Sequence, residues 1–175
     1  MLGGDLGGAM SNPESSSVLT EREYVHLAEH ALRMGQWDRA ETLAREASVH
    51  YPSGEFSYLY GAVCAHQKEF SLAVQWLGDA LERGTIFRHA AAFQLGLIHI
   101  TSADVAAAER AWEHLADLAE DHYFRLFSAG MSALVANQFA EAKSLISQGL
   151  MENTELESIN DDMSFVLEQL STLEG

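Results

Sequence analysis

The stretch Tyr24-Val25-His26-Leu27-Ala28-Glu29-His30-Ala31-Leu32-Arg33-Met34-Gly35-Gln36-Trp37-Asp38-Arg39-Ala40 decides the reading of this chain. Tyr24, Leu27, Ala28, Ala31 and Leu32 fall on one face of a helix. Gly35 can take the left-handed conformation that ends a helix, and Asp38 can open the next by capping its free amides. The second helix then runs to about Tyr51, just before Pro52. Two antiparallel helices joined by so short a turn need small residues where they cross, and Ala28 and Ala40 meet that need. Both recur: Ala40, Ala73, Ala108 and Ala142 stand 33, 35 and 34 positions apart, and Ala28, Gly61, Gly96 and Gly130 run twelve residues ahead at the same spacings. A period of about 34 residues is the signature of stacked helix pairs.

Composition agrees with an all-α chain. Of 175 residues, 47% are hydrophobic and only Pro13 and Pro52 are proline, which excludes disorder throughout and suits helices. The 26 acidic residues against ten basic ones leave a formal net charge of −16. Phosphate backbones and anionic membrane surfaces are repelled by such a chain, which carries no cluster of Lys and Arg, so nucleic acid and membrane insertion are excluded as partners. No apolar run reaches the length needed to span a bilayer, and Met1 to Met10 lacks the features of a secretion signal. A cytoplasmic protein is expected. Residues 1–20 read as a flexible tail rich in Gly and Ser, native or an expression scar. Cys64, the single cysteine, lies in Gly61-Ala62-Val63-Cys64-Ala65 and reads as a small core side chain.

The later units follow the plan of the first. Tyr60, Gly61 and Cys64 lead through Phe70 to Ala73, Leu77 and Ala80. Leu95, Gly96 and His99 lead to Ala108, Trp112 and Leu115, with no glycine in the turn, so the third unit is the least regular. Leu126, Gly130 and Ala133 lead through Phe139 to Ala142, Ile146 and Gly149. At these positions the chain resembles the tetratricopeptide repeat (TPR) family: Tyr24, Leu27, Ala28, Ala31, Gly35, Trp37, Ala40, Ala44, Ala47 and Pro52 fall at the family's spacings. The resemblance implies a right-handed α-solenoid of four helix pairs over 21–53, 54–88, 89–122 and 123–154. It departs at Ser57 and Ala92, where the family has a large aromatic. Residues 155–175 read as an amphipathic helix with Leu156, Ile159, Met163, Val166, Leu167, Leu170 and Leu173 on one face. Its expected role is to cap the last repeat, the alternative being a detachable partner mimic or dimer contact. Asn160-Asp161-Asp162 can delay its start.

What the resemblance implies for function is a concave groove lined by the first helix of each pair. Carried over by position, its lining is Arg22, Val25, Glu29, Leu32 and Arg33, then Tyr58, Ala62, Ala65 and His66, then Phe93, Leu97 and Ile100, and last Phe124, Phe127, Met131 and Leu134. Such a groove grades from charged to apolar. Family members that clasp acidic tails carry Lys and Asn where this chain has Val25, Glu29, Leu59 and Ala90, so a carboxylate clamp is not implied. An apolar or amphipathic partner segment suits it better, as in the bacterial type III secretion chaperones that the fold resembles in general plan. Phe93, Leu97, Phe124, Phe127 and Met131 are the expected anchors, with Glu29, Arg33 and His66 setting register. A charged residue in place of Phe127 is then expected to abolish binding and spare helicity. The other reading is that these residues are internal core, covered by the last helix or by a second subunit.

No chemistry is legible. His26 and His30 have metal-ligand spacing without a third partner. Gly3-Gly4 and Gly7-Gly8 lack the Lys of a phosphate loop, and no hydrolase arrangement of Ser, His and Asp is present. The chain is expected to be a non-enzymatic, chaperone-like scaffold without cofactor or metal, the alternative being a self-assembling structural module.

Overall fold

The computed structural model describes residues 18–173, and every regular element among them is helical. The tail expected over 1–20 lies outside the described residues up to residue 17, as do the last two residues of the chain. Eight helices form four consecutive pairs: α1 (Glu21–Arg33) with α2 (Trp37–His50), α3 (Gly54–His66) with α4 (Phe70–Arg83), α5 (Arg88–Thr101) with α6 (Val105–Trp112), and α7 (Tyr123–Val135) with α8 (Phe139–Glu152). A ninth, α9 (Glu157–Leu173), follows and packs on α8.

The small-residue ladders sit where partner helices cross. Ala28, Ala40, Ala73, Ala108 and Ala142 are all fully buried. A Cβ at Gly61 would lie 2.9 Å from Leu77, and one at Gly130 would lie 2.7 Å from Ile146, so any larger side chain would push the paired helices apart. The spacing that marks the repeat in sequence is thus the spacing of these close approaches.

One hydrogen-bond scheme closes all four intra-pair turns. The amide of Gln36 donates to the carbonyl of Ala31, Glu69 to Cys64, Asp104 to His99 and Gln138 to Ala133, at 2.8 to 2.9 Å. Each is the long bond of a Schellman-type helix end, which requires a left-handed residue just before the donor. Gly35 supplies it in the first turn at φ 67°, but Lys68 (63°), Ala103 (60°) and Asn137 (59°) supply it in the others. The missing glycine therefore does not make the third turn irregular. The irregularity lies in α6, which ends after eight residues and passes into a 3-10 turn at Glu113–Leu115.

Two cap expectations change as well. Asp38 is inside the first turn of α2 and the residue at the cap is Gln36, whereas Asp104 does cap α6, its carboxylate accepting from the Ala107 amide at 3.0 Å. Asn160 does not delay α9. Its side chain donates to the Asn153 carbonyl at 2.9 Å and accepts from the Asn153 amide group at 3.0 Å, while Asn153 Oδ1 receives the Glu155 and Leu156 amides. Asn153 is buried, and this clasp sets the direction in which the chain leaves α8.

Candidate functional site

The expected apolar half of the groove is interior. Phe93 and Phe127 are fully buried, and Phe124 and Met131 are nearly so; all four join one cluster with Trp112, Ile146, Met163 and Leu170. Leu97, Ile100 and Leu134 pack against that cluster from its edge, as do Leu156, Ile159, Val166 and Leu167 of the α9 region. Met163 and Leu170 place the apolar face of α9 in the same core cluster. Of the two readings left open by the sequence, core burial describes these side chains, because a row of exposed Phe and Met next to an amphipathic helix in the same chain gains most by being covered.

A cleft of about 380 Å³ remains beside this covered region. Its α1 side is Glu29, Leu32 and Arg33, with Trp37 beyond; α3 adds Tyr58 and Ala62; α5 and the turn before it add Ile86, Phe87, His89, Ala90 and Gln94. The opposite wall is His122, Tyr123 and Phe124 with Glu155, Leu156, Ser158 and Ile159 at the start of α9. The concave side therefore has α9 as one wall. Farther along α9, burial and then the neighbouring charge of Asp161 push the Asp162 carboxyl above its ordinary range, against the smaller opposing influence of His66.

Expected groove residues divide accordingly. Glu29, Arg33, Tyr58, Ala62 and Phe124 share the cleft, although Ala62 and Phe124 are buried in its wall. His66 is exposed and stacks on Trp37 with ring centroids 3.7 Å apart, in a neighbouring depression with Gln67 and Arg39. On α5 the cleft is lined by Ala90 and Gln94, each three positions before the expected Phe93 and Leu97. Of the expected positions, Tyr58 and Ala62 on α3 line this cleft, whereas His66 on α3 and Phe93, Leu97 and Ile100 on α5 do not. Trp37, Phe87, His89, Gln94, His122, Tyr123 and Glu155 went unread as site residues. The aromatic run His122-Tyr123-Phe124 was the signal available for three positions of this wall.

Aromatic rings dominate the cleft, with the carboxylates of Glu29 and Glu155 and the basic side chains of Arg33, His89 and His122 among them. Tyr58 stacks on Phe87 at 4.7 Å, and Tyr123 lies 4.6 Å from Phe124 and 4.3 Å from His122. Burial pushes the Tyr58 phenol well above its ordinary range, helped by the nearby charge of Glu29 and by Tyr123. The Tyr123 phenol is pushed up to about 12, by burial first and then by Glu155. Both phenols stay protonated and available as donors. Glu29 is answered by Arg33 at 2.9 Å, and His89 is held by Asp117 at 2.9 Å, with Arg88 on the same carboxylate. Those partners hold the Asp117 carboxyl below its usual range, the His89 hydrogen bond most of all. Gln94 Oε1 is buried and meets no donor among the described residues.

His122 gives the site a pH response. Its Nδ1 accepts from the Phe124 amide at 3.2 Å at the start of α7, which requires an unprotonated nitrogen. Burial, and then the charge of His89, hold its pKa below the ordinary 6.5, against Glu155 and Asp121. The folded state thus resists a proton that the unfolded state accepts, so its contribution to stability is complete above 6.5 and is lost as the pH falls below that value. Denaturant melts on either side of 6.5 should show this loss, and His122→Asn, which can still cap the helix, should reduce it. An unchanged pH slope in the variant would remove His122 as its source.

Outside the cleft, Cys64 is buried and its thiol is pushed up, mainly by burial, as befits a core side chain. Among the described residues no helix is long and apolar enough to cross a membrane. No family model matches the chain, and no curated protein matches it by sequence. Among solved structures it is similar to one titled "MamA RS-1 ArsTM double mutant", with a TM-score of 0.57 and 12% identity over 88% of this chain and 96% of that one. At that identity the likeness carries the fold alone: this chain is an all-helical, TPR-like repeat solenoid.

Proposed function

We propose that the protein is a non-enzymatic interaction scaffold that holds an amphipathic segment of a partner protein in the cleft between α1, α3, α5, α7 and the start of α9. The observation that carries this reading is the cleft itself, a concave, partly apolar space of about 380 Å³ with aromatic walls and a few convergent polar groups. A TPR-like framework supports it, since stacked helix pairs present an extended concave surface to a partner. The strongly apolar anchors expected at Phe93, Phe127 and Met131 are not part of the proposal, because they are buried in the core.

Trp37 stands in the wall and reports on occupancy. An amphipathic helical peptide with an uncharged polar face should shift the fluorescence of the full chain, and Trp37→Phe should remove that shift. Ala90→Trp, which fills the cleft from α5, should abolish binding with helicity intact. Binding that persists in Ala90→Trp would place the partner elsewhere. The second reading, self-association, draws on Phe165 and Leu173, which are 61% and 67% exposed on α9. Sedimentation over a concentration series separates the two: growth in size abolished by Phe165→Ser supports assembly, and a constant monomer removes it.

A further inference from the structure

Gln94 lines the cleft, and its side-chain oxygen Oε1 is a buried acceptor that meets no donor among the described residues. Nearby acceptors are charged. Glu29 from α1 and Glu155 before α9 converge from opposite sides, and Arg33 answers the first whereas the second faces the Tyr123 phenol. Between them stand flat aromatic rings, the stacked pair Tyr58 and Phe87 on one side and Tyr123 on the other. The basic groups in the lining are engaged, Arg33 by Glu29, His89 by Asp117 and His122 by the Phe124 amide; Glu155, the Gln94 oxygen and the aromatic rings are then the groups left to receive an ammonium or guanidinium group.

We infer that the cleft takes the side chain of a Lys or Arg carried on a basic amphipathic partner segment, with Glu155 and Gln94 Oε1 accepting its N–H groups and Tyr58 and Tyr123 presenting their ring faces. This rests on the cleft being the partner site. The charge of the whole chain points the same way: 26 acidic against ten basic residues give a field that steers a basic segment inward and turns an acidic one away. The wall formed by α9 adds Glu157, Asp161, Asp162 and Glu168 to that field. A neutral apolar segment would leave the Gln94 oxygen unanswered and Glu155 desolvated, which opposes its entry. The structure thus favours a cationic occupant over an apolar one in the same space.

The test titrates the full chain calorimetrically with three amphipathic helical peptides that share one apolar face and carry Lys, Gln or Glu on the polar face. The Lys peptide should bind most tightly and the Glu peptide least. Glu155→Gln should weaken the Lys peptide by about tenfold and leave the Gln peptide nearly unchanged. Glu46→Gln, which removes an exposed carboxylate on α2 away from the cleft, should leave both unchanged. Gln94→Leu should weaken the Lys peptide while maintaining or raising thermal stability, because it deletes an unanswered polar atom. Equal binding of the Lys and Gln peptides, or equal losses in Glu155→Gln and Glu46→Gln, would overturn the cationic pocket while leaving the cleft as the partner site. Failure of all three peptides to bind would overturn both.

Discussion

Replacing Phe127 with Ala should lower stability by about 3 to 5 kcal/mol, the range for deleting a fully buried aromatic side chain. The ring is completely buried among α5, α7 and α8, with Phe93 at 6.1 Å and Tyr123 at 6.3 Å. Gly149 on α8 lies so close that a Cβ there would sit 2.5 Å from the Phe127 ring, so the helices meet on this side chain and leave it little room to be replaced by collapse. A carboxylate at the same position would add the cost of an unpaired buried charge, and Phe127→Glu is expected to lose cooperative folding. That outcome differs from the expectation drawn from groove positions, in which binding is lost and helicity spared. Urea melts followed by circular dichroism decide the matter. A change below about 1 kcal/mol for Phe127→Ala, well under the cost of a buried Phe deletion, would return the ring to the groove surface.

Gly96→Ala is the second severe change, and its direction opposes helix propensity. Ala is favoured over Gly inside a helix by about 1 kcal/mol, yet a Cβ at Gly96 would lie 2.0 Å from Trp112 Nε1 and 2.3 Å from Cε2. The indole cannot easily retreat. It is buried on the short helix α6, and its N–H donates to the Phe93 carbonyl at 3.3 Å. Overpacking of this kind typically costs 1 to 3 kcal/mol, roughly, even after adjustment, so net destabilisation is expected with a change in Trp112 fluorescence. Gly78→Ala is the control, since no atom lies within 4 Å of a Cβ there; it should stabilise the chain. Equal stabilities for the two variants would show that the α5 and α6 contact is loose.

The two substitutions also show what can be read from a repeat. Gly96 was legible, because it belongs to a ladder whose members all stand at the crossing of one helix with its own partner. Phe127 was misplaced because it is buried between Phe93 of α5 and Gly149 of α8, an environment set by how the helices pack, which spacing along α7 does not specify. Spacing indicated Tyr58 and Ala62, which line the cleft, yet on α5 it indicated Phe93 and Leu97 where Ala90 and Gln94 line the space. Which strip of a helix faces the cleft leaves no trace in periodicity. It depends on how one pair sits on the next, and α6 shortens exactly in that third unit.

By itself the sequence determined the helical class, the pairing of helices at a period of about 34 residues, and the close contacts at Gly61, Gly96 and Gly130. These follow from local chemistry: which residues are small, which are apolar, and how far apart they stand along a helix. Only the tertiary structure decided that Met163 and Leu170 of α9 join the cluster of Phe93 and Phe127, that Glu155 and Gln94 line the same cleft as Glu29, and that its walls are aromatic with charges of both signs. Those outcomes arise from burial between segments distant in the chain, where the apolar face of α9 finds the largest uncovered surface, and no local pattern specifies the partner it will choose.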